Sequence, residues 1–166
     1  MLARLVLVIL LLPYAGWLVL DYEYHLLDGV NLLIHEAGHL VMRPFGMLLH
    51  MLGGTLLQLA FPLLFAGRFW WRRERYEAAI CGVWAAESLM YTARYLGDAR
   101  AQVLPLVGGH IHDWNWLLAR VGLLEHCETI ALGLHGLASA GLFATLFAAT
   151  VFALGRRQAR AAVLTD

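Results

Sequence analysis

The stretch Asn31-Leu32-Leu33-Ile34-His35-Glu36-Ala37-Gly38-His39-Leu40-Val41 decides how the rest of the chain is read. Two histidines four residues apart lie on one face of an α-helix, one above the other, so both imidazoles can reach a single metal ion. Glu36 stands beside them, where a carboxylate can take a proton from a water at that ion. Around these three groups the run is almost wholly apolar. Ionisable groups are costly in such a helix, and three within five residues each demand a partner or a role.

Working outward, composition places the helix in a membrane protein. The chain has 166 residues, 61% of them hydrophobic and 14% charged, with a mean hydropathy of +0.66. Average soluble domains carry about 25% charged residues. The predicted fold class is all-α, a polytopic helical membrane protein of four to six segments at about 20 residues each. It is read as a single integral membrane domain over 1–166. The formal net charge is zero and no extended basic block exists, which argues against nucleic acid as a partner. All twelve basic residues are Arg. Cys81 and Cys127 are not spaced as a metal or redox pair and read as free thiols.

Leu5 to Leu20 is expected to be a retained first span, with Trp17, Tyr22 and Tyr24 at an interface. The motif helix is expected over 28–43, capped by Asp28 or Asn31 and broken by Pro44 and Gly46. Met47 to Gly67 is a further apolar segment containing Gly53, Gly54 and Gln58. The glycines fit close helix packing, or a loosened backbone beside the metal. Gln58 fits an interhelical hydrogen bond, or a group that holds substrate or an oxyanion, with Gly54 beside it. Arg68, Arg72, Arg73 and Arg75, interleaved with Phe69, Trp70 and Trp71, read as a cytoplasmic interfacial loop. Glu77 to Leu96 is the next span, and the segment from Thr129 to Leu154, followed by Arg156, Arg157 and Arg160, is the last. The basic tail also asks to be cytoplasmic, which puts the loop 97–113 on the opposite side. Whether the motif helix spans fully or re-enters is left open by these charges.

A catalytic zinc takes three protein ligands and keeps a position for water. The spacing His-Glu-x-x-His-x-x-Gly-x-x-His is excluded, because Met42 and Phe45 stand where Gly and His would be needed. The best source of a third ligand is the ligand-rich loop 97–115, through His112 or Asp113. Asp98, His110 and Glu87 are further candidates, and His50 lies beyond the proline.

His35-Glu36-Ala37-Gly38-His39 in a membrane helix, followed by a Gly-rich helix and a later Asp, resembles the site-2 protease family of intramembrane zinc metalloproteases. The resemblance implies that His35 and His39 are zinc ligands, that Glu36 is the general base and that Asp113 is the third ligand. Gly53-Gly54-Thr55-Leu56-Leu57-Gln58 stands where that family often has a Gly-Pro-x-x-Asn element, with Gln58 replacing the asparagine. Asp113 sits in His-Asp-Trp-Asn rather than Asn-Pro-Asp-Gly, and the likeness covers roughly residues 28–115. The expected function is zinc-dependent hydrolysis of peptide bonds at or within a membrane. The expected surroundings are a lipid bilayer, a membrane-protein or peptide substrate and further copies of the chain as a homo-oligomer. The expected location is multi-pass, in a bacterial inner (plasma) membrane. Two other classes compete. One is a metal-binding or metal-transport membrane protein without catalysis, and the other a haem-binding subunit using His25, His50, His126 or His135.

Overall fold

In the computed structural model of the protein, the described residues are 2–107 and 111–163, with side chains described through residue 155. They form six α-helices and two short 3-10 turns. The α-helices are α1 (Leu2–Leu20), α2 (Leu26–Met42), α3 (Met47–Trp71), α4 (Arg75–Gly97), α5 (Asp113–Arg120) and α6 (Cys127–Val163). The all-α class follows from long apolar runs interrupted by few breakers. Pro13 lies inside α1 and Pro62 inside α3, as apolar membrane helices tolerate.

Among the described residues, three helical stretches are long and apolar enough to cross a membrane: Leu2–Leu20, Met47–Trp71 and Leu124–Gly155. Of the other segments expected, α2 and α4 do not meet that measure of length and apolarity. The motif helix α2 has only 17 residues and carries Asp28, His35, Glu36 and His39. α4 is long enough but is diluted by Glu77, Glu87 and Arg94.

Residue contacts group the chain into two units. One comprises 1–23, 62–87 and 139–166. Its apolar core is Val8, Tyr76, Ala79, Ala149 and Ala153. Arg4 ion-pairs with Glu77 and lies 4.7 Å from the centre of the Tyr76 ring, whose hydroxyl donates to the Arg4 carbonyl at 3.0 Å. The buried Glu87 accepts from the Tyr22 hydroxyl at 3.4 Å.

The second unit comprises 24–61 and 88–138. It holds α2, the first part of α3, the last part of α4, α5 and the start of α6. Leu96, Ala99, Leu118 and Cys127 form its apolar cluster. His25 is the N-cap of α2, and Asp28 reaches back to accept from the His25 N–H at 3.0 Å, so Asp28 serves the cap from inside the first turn. The helix stops where Pro44 enters a 3-10 turn and Gly46 takes φ +94°, a backbone conformation that suits glycine.

α2 is apolar on the outside and polar on the inside. Leu26, Leu33 and Leu40, seven residues apart, are 91%, 73% and 70% exposed, whereas Asp28, Asn31 and His35 are buried. Exposed large apolar groups over buried polar ones are the reverse of a soluble amphipathic helix.

Candidate metal centre

The helical register places His35 and His39 on one side of α2, with ring centres 4.7 Å apart. α3 comes close to that side because glycines meet there. A Cβ on Gly38 would collide with the Gly53 backbone, and one on Gly53 would lie 2.6 Å from the Gly38 carbonyl oxygen. A Cβ on Gly54 would fall on the His35 imidazole. The two glycines of α3 therefore make room for the neighbouring backbone and for the His35 ring.

Each histidine is anchored through Nδ1. Gln58, 1% exposed, directs its Nε2 at the Ser88 carbonyl (3.0 Å), the Ser88 hydroxyl (3.1 Å) and the Thr92 hydroxyl (3.2 Å). A carbonyl can only accept, so the amide nitrogen must face Ser88, and Oε1 is turned to His35 Nδ1 at 3.0 Å. His39 Nδ1 lies 2.7 Å from the His50 carbonyl oxygen, and His50 Nδ1 returns a bond to the His39 carbonyl at 2.9 Å. Both ring protons are thereby drawn to Nδ1, leaving Nε2 of each neutral ring with a lone pair.

Asp113, the first residue of α5, completes the group. Its Oδ2 lies 2.9 Å from His35 Nε2 and 3.1 Å from His39 Nε2. Burial would raise the carboxyl, but hydrogen bonding from the His35 and His39 rings when they carry a proton on Nε2 outweighs it and holds Asp113 at about 2. The carboxylate is thus ionised at neutral pH. Tyr95 holds Asp113 from α4: its hydroxyl donates to Oδ2 at 3.4 Å and accepts from the Asp113 backbone N–H at 3.2 Å.

The other candidates lie as follows. His112 is the N-cap of α5, with Nδ1 accepting from Asn115 N–H at 3.3 Å and its ring stacked on Tyr95 at 4.1 Å. Burial pushes the His112 imidazole down, and its Nε2 faces Asp98 at 3.6 Å. Asp98 accepts from the Val103 and Leu104 N–H groups at 2.9 and 3.1 Å, which folds the start of the loop against α4. Gln58 spends its whole amide within this framework. Glu36 is half-buried, and its charge acts on both His39 and Tyr95. Glu87 belongs to the other unit. His110 lies outside the described residues. Of the histidines weighed for haem, His25 caps α2, His50 pairs with His39, His126 is exposed and His135 is half-buried on α6.

His35, His39 and Asp113 thus offer three ligand atoms all within 4.8 Å of one another. Two imidazole nitrogens and a carboxylate oxygen converging in this way form a group able to hold a metal ion. Sequence reading passed over Tyr95, Ser88 and Thr92. A signal was present: 88, 92 and 95 recur at helical spacing, so their polar groups share one face of α4. Comparison with protein-family models, with curated proteins and with solved structures gives no match.

Proposed function

We propose that the protein is a zinc-dependent metalloprotease that hydrolyses a peptide bond of a membrane-associated substrate. One observation carries the metal: His35 Nε2, His39 Nε2 and Asp113 Oδ2 converge while the Nδ1 of each ring is tied to an acceptor elsewhere. Metal-binding histidines are commonly oriented in this way, by donating the other ring N–H to a fixed acceptor. A purely structural cluster would need a proton on an Nε2 as well, making an imidazolium among buried groups.

In this reading His35, His39 and Asp113 hold the ion. Zinc there supplies Lewis acidity toward a carbonyl oxygen and a water. Glu36, one residue from His35 and one helical turn from His39, takes the proton of the attacking water and passes it to the leaving amine. The bilayer setting rests on the three long apolar helices and on the outward apolar face of α2.

The test separates binding from catalysis. Wild type should hold about one zinc per chain, His35→Ala none, and Glu36→Gln a full complement with peptide hydrolysis lost. Zinc in both wild type and Glu36→Gln with equal hydrolysis would remove Glu36 as the base, and zinc in both with no hydrolysis in either would move the reading to a metal-binding or metal-transport protein. A folded wild type that binds no zinc would remove the centre altogether.

A further inference from the structure

At the end of α3, Leu64, Gly67, Arg68 and Trp71 fall at helical spacing on one face. With Leu63 they line a shallow groove. Leu64 is 68% and Trp71 86% exposed. Gly67 leaves a notch in the stripe, and a Cβ there would meet nothing within 4 Å, so no internal neighbour requires the glycine. The groove is apolar toward the middle of the candidate span Met47–Trp71 and cationic at its end.

The charges at that end are unevenly matched. Residues 68–75 contain four Arg and one Glu. Glu74 pairs with Arg72 at 3.3 Å, and Arg75 lies 3.5 Å from the centre of the Trp70 ring. Arg75 Nη1 is buried without an acceptor. Arg68 is exposed and makes no ion pair among the described residues. A guanidinium one turn above an apolar stripe, flanked by an exposed Trp, matches the order of a phospholipid: phosphate, interface, then acyl chain.

We infer that this groove is a binding site for an anionic phospholipid, with Arg68 on the headgroup phosphate and an acyl chain along Leu63 and Leu64 through the notch at Gly67. Charge complementarity selects the anionic headgroup, because a zwitterionic one would bring its own cation to an Arg-rich end. The site rests on the long apolar helices and not on the metal centre, so either can fail alone.

The experiment uses the full chain reconstituted in phosphatidylcholine bilayers containing phosphatidylglycerol, with one lipid or the other carrying brominated acyl chains that quench tryptophan. Brominated phosphatidylglycerol should quench more than brominated phosphatidylcholine at equal mole fraction, with a relative association about five-fold higher, equivalent to about 1 kcal/mol. Trp71→Phe should remove most of the difference. Arg68→Gln should abolish the preference and Arg68→Lys retain part of it. Gly67→Leu, which fills the notch without touching a charge, should also weaken it, with helicity by circular dichroism unchanged. Equal quenching by both lipids in wild type would overturn the inference, as would a preference unaltered in both Arg68→Gln and Gly67→Leu. Efficient disulfide pairing of Gly67→Cys chains, with Trp71 shielded from both lipids, would assign the face to a second copy and overturn it too.

Discussion

Gln58 Oε1 faces His35 Nδ1 at 3.0 Å, and the amide that carries it is locked by Ser88 and Thr92. A glutamine on one helix thereby decides which nitrogen of a histidine on another is free to bind a metal. The arrangement is a tautomer clamp. It explains a buried polar residue in a span of membrane length, where an unpaired amide would be costly.

Gln58→Leu should therefore weaken metal binding by about 10- to 100-fold, the usual range for loss of such an outer partner. It should also lower stability by about 1–3 kcal/mol, because the His35 N–H loses its acceptor in a buried site. Zinc titration and thermal denaturation in detergent measure the two effects. Unchanged zinc affinity would show that His35 needs no clamp.

Gly54→Ala should displace the His35 ring, since the added methyl occupies its position. Overpacking of this kind costs about 1–3 kcal/mol. Zinc stoichiometry should fall while Gly16→Ala, whose Cβ would meet nothing within 4 Å, behaves as wild type. Equal zinc content in the two variants would contradict the packing.

Asp113→Ala should lose zinc, and His112→Ala should keep it. The second variant forfeits the cap of α5, worth about 1 kcal/mol, and the stacking on Tyr95. Metal analysis of both variants separates ligand from cap. Retention by Asp113→Ala with loss in His112→Ala would reverse the roles.

Tyr95→Phe removes both the donor to Asp113 Oδ2 and the acceptor for the Asp113 N–H. Zinc affinity should drop about ten-fold at the least, with the stoichiometry at saturation still one. Titration against a competing chelator reads the difference. Identical affinity would leave Tyr95 as packing only.

Zinc should stabilise the chain in proportion to its occupancy. At a free concentration a hundred times Kd the gain is about 2.7 kcal/mol, seen as a higher denaturation midpoint that chelation reverses. His35→Ala should show no such rise. A rise of the same size in that variant would place the binding elsewhere.

Much of this was legible in the residues. The 35/39 spacing needs only a helix to bring two imidazoles to one side, and Pro44 with Gly46 marks where that helix must stop. Hydropathy likewise announces α1, α3 and α6, because long apolar runs carry their own signal. The choice between His112 and Asp113 could not be made that way. They are neighbours in sequence, and which one faces α2 depends on the first turn of α5, where His112 turns back to cap the helix and Asp113 points outward from it.

What the sequence by itself determined is local: helical class, the break after α2, the paired histidines and their adjacent glutamate. These follow from short-range periodicity and backbone sterics, which require no partner segment. What only the tertiary structure decided is every relation across distant residues. Asp113 meets His35 from 78 positions away, Gln58 selects a ring nitrogen 23 positions back, and Tyr95 holds Asp113 from α4. Such contacts are set by how closely glycine-bearing faces approach and by the need of each buried polar atom for a partner, and neither is written in any local stretch of chain.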